Sequence, residues 1–228
     1  MQVMKDVIVV GGTGYLGRPL ICKLCAGGLR VASVARPQSA AKLPSGCSVI
    51  SGNALNSRTY QDRIVPGSTL VHLVGVPHPA PWKAAQFRAI DLVSLEQSVA
   101  AAKQARVGHF VFVSVAHPAP TMRAFIEVRM RCEQTIRESG LPATILRPWY
   151  VLGPGHYWPY LLIPFYKALE AVPSTRAGAV RLGLVTRAQM VNALAGAVVS
   201  GPTGIRVLET AEIRSAGKKN DLATDEHG

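Results

Sequence analysis

The sequence predicts an α/β fold, a doubly wound parallel sheet with a small C-terminal extension. Three observations predict it. Val7-Ile8-Val9-Val10, Leu70-Val71-His72-Leu73-Val74 and Phe110-Val111-Phe112-Val113 are near-continuous apolar runs, as expected of strands buried on both faces rather than one. Segments with helical spacing of apolar residues alternate with these runs, the pattern of a sheet covered by helices. The first run also passes straight into closely spaced glycines and then into a helix. The 228 residues and 48% hydrophobic content suit one domain with a sizeable core.

The opening element is Val7 to Gly17, in which the glycines stand as Gly11-x-x-Gly14-x-x-Gly17. A strand, a glycine turn and a helix start let the backbone approach a pyrophosphate, with N–H groups and a positive dipole end aimed at it. The expected cradle is Gly11, Thr13, Gly14, Tyr15, Leu16 and Gly17. Arg18 to Ala26 reads as the helix, with Leu20, Ile21 and Leu24 on one face and Gly27-Gly28 as its stop. Cys22 and Cys25 form a C-x-x-C on that helix, where packing accounts for them better than redox chemistry, and the four cysteines do not spell a disulfide scaffold.

Leu29 to Ala35 is the second strand and ends at Arg36. In this arrangement an acid here binds ribose hydroxyls, whereas an arginine suits a 2′-phosphate. No Asp or Glu occurs from residue 29 to 61, so NADP is expected over NAD. Ser48 to Ser51 is a short third strand, followed by Gly52-Asn53-Ala54-Leu55 and a short helix over 57–64. The fourth strand, Leu70 to Val74, ends in Gly75, and small residues at a strand's carboxyl end let a cofactor lie close. Val76 to Trp82 is a proline-stiffened loop on the same side. A long helix spans Lys83 to Ala105, and the fifth strand, His109 to Val113, stops at Ser114. Met122 to Ser139 is a helix closed by Gly140, and Ala143 to Leu146 is the sixth strand, ending in Arg147-Pro148.

From Trp149 the alternation loosens. Tyr157 to Val172 is apolar and aromatic, read as a substrate-side lid or an edge helix, with a membrane-surface or partner contact as the alternative. Arg187 to Ser200 is a helix and Ile205 to Glu209 a late strand. The expected organisation is a single domain over 1–214, with 149–214 on the substrate side and a polar tail, 215–228, without fixed structure. The formal charge of +12 favours anionic ligands in general. The basic residues are scattered, with no aromatic-interleaved stripe, so nucleic acid is not an expected partner. No signal peptide and no apolar run of about 18 residues is found, which predicts a cytoplasmic protein without an integral membrane segment. No metal site is expected.

The segments Gly11-Gly12-Thr13-Gly14-Tyr15-Leu16-Gly17, Gly52-Asn53-Ala54-Leu55, Val71-His72-Leu73-Val74, Phe110-Val111-Phe112-Val113-Ser114 and Ser139-Gly140-Leu141-Pro142-Ala143-Thr144-Ile145-Leu146-Arg147-Pro148 together resemble the short-chain dehydrogenase/reductase superfamily. The likeness is to its atypical and extended branches, the NAD(P)-binding epimerase-like and NmrA-like proteins, over about residues 3–210. It implies a Rossmann-type parallel sheet of about seven strands, with the C-terminal part building the substrate pocket. It also implies cofactor contacts at Asn53, Ala54, Leu73, Val74, Gly75, Ser114, Arg129 and Pro148, beside the glycine cradle and Arg36.

Enzymes of the superfamily use a Ser/Thr, a Tyr and a Lys, the last two one helical turn apart and so on one face. Counting back from Glu133 and Ser139-Gly140-Leu141 puts that pair at Phe125 and Arg129. Phenylalanine transfers no proton, and arginine stays charged, so it can hold a ribose or phosphate but relays protons poorly. The serine position falls at Ala116, a helix asparagine at Asp91 and an adenine-binding acid at Asn53. The remaining catalytic candidates are His117 first, with Ser114 and Arg129; His78, His156, Tyr150 and Tyr157 also lie on loops at the cofactor side. The first reading is an NADPH-dependent oxidoreductase or isomerase acting by hydride transfer on a small carbonyl or unsaturated substrate. The alternative is a non-catalytic NADP-binding redox sensor or structural protein. The long helices, Lys83 to Ala105 and Met122 to Ser139, form homodimer faces in many relatives.

Overall fold

The computed structural model describes residues 6–153, 181–201 and 204–222. Strand β1 (Asp6–Val10) lies between β2 (Arg30–Ala35) and β4 (Thr69–His72), parallel to both. With β3 (Ser48–Ser51), β5 (His109–Val113), β6 (Ala143–Arg147) and β9 (Ile205–Glu209) it forms a parallel sheet of seven strands, ordered β3-β2-β1-β4-β5-β6-β9. The chain runs outward from β1 to β3, then returns to β4 on the other side of β1. That reversal opens a crevice at the carboxyl ends of β1 and β4, where ligands bind in open α/β sheets.

Both faces of the sheet are covered, which is why its strands read as unbroken apolar runs. Ile8 and Val10 point into one core with Phe87, Leu95, Val128 and Ile136, whereas Val7 and Val9 point into the other with Leu20, Leu24, Met190 and Leu194. Helix α1 (Gly17–Ala26) buries Gly17, Leu20, Ile21 and Leu24, so Leu20→Ala would cost about 2–5 kcal/mol. The long helix α2 is continuous but not uniform: Ala84–Gln86 leads into a π-helical Phe87–Leu92 and then Val93–Gln104. The wider π turn, a feature frequent at functional sites, carries Asp91 to the buried side. Helix α3 (Arg123–Ser139) ends at Gly140 in the left-handed conformation, and α4 (Arg187–Ser200) starts on a capping box of Thr186 and Gln189.

Four features differ from the sequence expectation. The helix over 57–64 is instead two 3₁₀ turns, Ser57–Thr59 and Gln61–Arg63. The β4 ladder stops at His72, although the Leu73 N–H still reaches the Val10 carbonyl at 2.8 Å. After Trp149 the chain forms a second, two-stranded parallel sheet, β7 (Tyr150–Leu152) with β8 (Leu184–Thr186). The polar tail expected from Ser215 is helical as far as Leu222, within α5 (Thr210–Leu222). That helix is anchored by buried Ile213 and by Glu212, whose carboxylate accepts from the Glu209 N–H at 2.9 Å. The aromatic stretch 157–172, His156 and residues 223–228 lie outside the described residues. No helix among the described residues is long and apolar enough to cross a membrane.

Candidate cofactor and active site

The glycine turn after β1 is shaped by contacts that leave no room for side chains. Gly11 has φ +96°, and a Cβ there would stand 2.8 Å from the Leu73 carbonyl carbon. A Cβ on Gly17 would land on the Gly11 carbonyl oxygen and 2.6 Å from the Gly12 Cα, so α1 is seated directly on the turn. The turn closes through Gly14 N–H to Gly11 O at 3.1 Å and Arg18 N–H to Gly14 O at 3.2 Å. Helix α1 begins with no side-chain cap and no acid in its first turn. Its positive end is therefore left for an external anion.

A cleft of about 1400 Å³ runs from this turn along the carboxyl ends of the strands. Single small-molecule sites are usually about 300–1,000 Å³, so this one has room for more than one ligand. At one end it is lined by Arg36, Ser39, Asn53 and Ala54, and its floor is Leu73, Val74 and Gly75. At the other end are Ser114, Phe125, Arg129, Pro148, Trp149 and Tyr150, with Pro77, His78 and Trp82 along the rim. Every residue expected to touch the cofactor lines this one cleft, and among the described residues no Asp or Glu lines it. Asn53 uses its side-chain oxygen locally, accepting from the Leu55 N–H at 3.1 Å.

Beneath the far end the polar groups are tightly partnered. Arg129 donates to Asp91 at 2.6 Å and to the Val113 carbonyl at 2.9 Å, and its guanidinium stands 5.0 Å from the Phe125 ring centroid and 5.5 Å from that of Phe112. The second Asp91 oxygen accepts from the Val76 N–H at 2.9 Å. Burial pushes the Asp91 carboxyl above its ordinary range, and Arg129 opposes that push. Ser114 donates to Glu133 at 2.6 Å, so toward the cleft its hydroxyl oxygen is an acceptor. Burial pushes the Glu133 carboxyl up, but hydrogen bonds from Arg147 and Ser114 outweigh it and hold the group below its ordinary range. Arg147 forks onto both Glu133 oxygens, at 2.9 and 2.5 Å, and also reaches Glu209 at 2.9 Å. Below the floor His72 is 1% exposed, with Nδ1 3.0 Å from the Ser98 hydroxyl. Burial, with Arg129 nearby, pulls its pKa down to about 3.

The structure separates the catalytic candidates. Phe125 and Arg129 share one helix face at the cleft, as their spacing requires, and Phe125 packs on Phe87 with centroids 5.0 Å apart. His117, expected as the first candidate acid, does not line the cleft. Its Nδ1 lies 3.0 Å from the Val115 carbonyl and it borders a separate depression with Ile126 and Met130. His78 and Tyr150 do line the cleft. His156 and Tyr157 are outside the described residues. Sequence reasoning did not single out Ser39, Trp82 or Ile90. The signal for Trp82 was its place in the proline loop; Ser39 and Ile90 carried none.

The pattern of a family described as NAD(P)H-binding matches residues 11–155. The chain belongs to this NAD(P)H-binding family. Among curated relatives, the 4-hydroxy-2-methyl-3-oxo-4-farnesyl-3,4-dihydroquinoline-1-oxide ketoreductase of Stigmatella aurantiaca is 26% identical over 167 residues, 64% of this chain and 50% of that protein. The (4-alkanoyl-5-oxo-2,5-dihydrofuran-3-yl)methyl phosphate reductase of Streptomyces griseus is 33% identical over 145 residues, 62% of this chain and 46% of that protein. The chain thus spans about half the length of the curated relatives it matches. The fold is that of Bordetella bronchiseptica WbmH in complex with NAD+, with TM-score 0.67, 18% identity and coverage of 98% of this chain and 82% of that one. It is also that of the Thermus thermophilus UDP-glucose 4-epimerase complex with NAD, with TM-score 0.61, 16% identity and coverage of 94% and 82%. In this NAD(P)H-binding protein the residues present fit a dinucleotide. The turn that a Cβ at Gly11 or Gly17 would fill, and the uncapped start of α1, face the same cleft.

Proposed function

We propose that the chain is an NADPH-dependent reductase of a small carbonyl or conjugated unsaturated compound that works without the Tyr-Lys pair. The observation that carries this reading is the cleft, without a carboxylate among its described lining residues, that joins Arg36 and Ser39, the glycine turn, and the pocket at Phe125 and Arg129. Arg36 caps the 3₁₀ turn Pro37–Lys42, with its carbonyl taking the Ser39 N–H at 2.8 Å. That turn brings residues 36 and 39 to one end of the cleft, at the carboxyl end of β2, the place where such folds meet the adenosine ribose. The names of the two curated relatives, a ketoreductase and a reductase, support the reductase reading.

A bound NADPH would supply a hydride from nicotinamide C4, and Gly11 to Gly17 would hold its pyrophosphate through backbone N–H groups and the α1 dipole. Ser114 accepts a hydrogen bond from the ligand at the far end, because its own proton is committed to Glu133. Arg129 is fixed by Asp91 and Val113 and offers a constant positive charge rather than a transferable proton. His78 supplies the proton to the reduced substrate, so one hydride and one proton give the saturated or hydroxyl product and NADP+. An imidazole can hand on a proton, which the phenylalanine at position 125 cannot.

The test is loss of NADPH absorbance with a panel of carbonyl and enone acceptors. NADPH-dependent turnover is expected, falling at least about 100-fold in His78→Gln, the low end of a general acid's contribution, with NADPH affinity unchanged. A second reading, a non-catalytic NADP-binding protein, is favoured by Phe125 and by the engagement of Arg129 with Asp91. Tight NADPH binding with no turnover of any acceptor would select it.

A further inference from the structure

Between β4 and α2 the chain forms a strap over the cleft, Val76-Pro77-His78-Pro79-Ala80-Pro81-Trp82-Lys83. Three prolines stiffen it, and it is tied at both ends. The Val76 N–H is bonded to buried Asp91 at 2.9 Å. Lys83 Nζ donates to the carbonyls of Pro77 at 2.7 Å and His78 at 2.9 Å. His78 is held at φ +49°, in the left-handed region that a non-glycine residue avoids. Local strain of this kind persists where the surroundings over-determine it, and it clusters at ligand clamps.

The strap presents Trp82, 83% exposed and the most exposed large apolar side chain among the described residues. An indole left in water against a cleft wall gains by being covered. The same cleft is walled by Ile90, Phe125, Trp149 and Tyr150. Among the described lining residues a cation would meet Arg129 and no carboxylate.

We propose that Trp82, held out by the Lys83-tied proline strap, is the substrate-stacking platform of the cleft, and that the substrate is a flat aromatic carbonyl compound, neutral or anionic. This rests on the reductase reading for its chemistry, but the stacking site is testable by binding alone. An aromatic face on a rigid strap recognises planarity, because stacking needs the whole ring face in contact.

The probes are phenanthrenequinone and camphorquinone, both vicinal diketones, one planar and one globular. Binding of each is measured by equilibrium dialysis with NADP+ present, on the parent, Trp82→Ala and Trp82→Phe. NADPH affinity is measured separately on each. The parent is expected to bind phenanthrenequinone at least about 10-fold more tightly than camphorquinone, because only the planar ring can lie face to face on the indole. Trp82→Ala should weaken the planar probe about 10-fold and raise its KM without lowering kcat. Trp82→Phe should retain most of the affinity, and NADPH affinity should not move. Equal affinity for the two diketones, failure to bind either, or unchanged planar binding in Trp82→Ala would overturn the proposal. Trp82-dependent planar binding without NADPH oxidation would sustain the stacking site and overturn the reductase reading instead.

Discussion

His72 makes the molecule acid-sensitive in a way that one substitution should remove. The ring is buried beneath Leu73, with Nδ1 at 3.0 Å from Ser98, Nε2 at 3.5 Å from Ser94, and its pKa pulled from 6.5 to about 3. Between these values the unfolded chain binds one proton that the native protein does not, so stability rises with pH across that window. The contribution is fully present above pH 6.5 and is lost as pH falls, by about 1.4 kcal/mol per unit until the native ring protonates. From about pH 8 to about pH 5 the loss comes to about 2 kcal/mol. His72→Asn keeps an acceptor for Ser98 and cannot titrate, so it is less stable than the parent at neutral pH and that gap narrows as pH falls. Urea unfolding midpoints of parent and variant at both pH values test this. The parent should lose about 2 kcal/mol more than the variant on acidification. Parallel losses, within about 0.5 kcal/mol, would refute the neutral buried imidazole.

Three other outcomes follow from the site. Asp91→Ala leaves Arg129, 8% exposed, without its carboxylate and should cost about 3–5 kcal/mol in denaturant unfolding; adding Arg129→Met should restore a large part of it. Gly17→Ala puts a methyl group onto the Gly11 carbonyl, which should cost about 1–3 kcal/mol and abolish detectable NADPH binding in a fluorescence titration. Glu133 is held below its unfolded value of 4.5, so its contribution is present above that pH and lost as pH falls through the lower folded value; Glu133→Gln should flatten that lowest part of the acid-unfolding curve.

Much of the fold was legible because its signals are local. A strand buried on both faces must be apolar throughout, as Val7 to Val10 are, and the glycine spacing is dictated by backbone contacts such as that of Gly11 with Leu73. The Phe125–Arg129 spacing carried both side chains to one helix face at the cleft. What escaped depends on partners distant in sequence. β7 and β8 are three residues each, paired across more than thirty intervening positions, so neither shows a period of its own. The contacts of His117 with the Val115 carbonyl, two residues back, and of Lys83 with the His78 carbonyl are short in sequence but belong to irregular loops, where no periodicity announces them. The pairing of Asp91 with Arg129 likewise needs α2 and α3 brought together, and a π turn that no propensity announces.

The central claim, that the cleft holds NADPH through Arg36 and the glycine turn, is tested most directly by titrating the protein with NADPH and NADH side by side, in the parent and in Arg36→Glu. A charge-assisted contact to the 2′-phosphate is worth about 1.5–3 kcal/mol. The parent should therefore bind NADPH about 10- to 100-fold more tightly than NADH, and Arg36→Glu should erase or reverse that ratio while leaving NADH affinity near its parental value. Equal affinity of the parent for the two cofactors, or a preference that survives Arg36→Glu, would contradict the account.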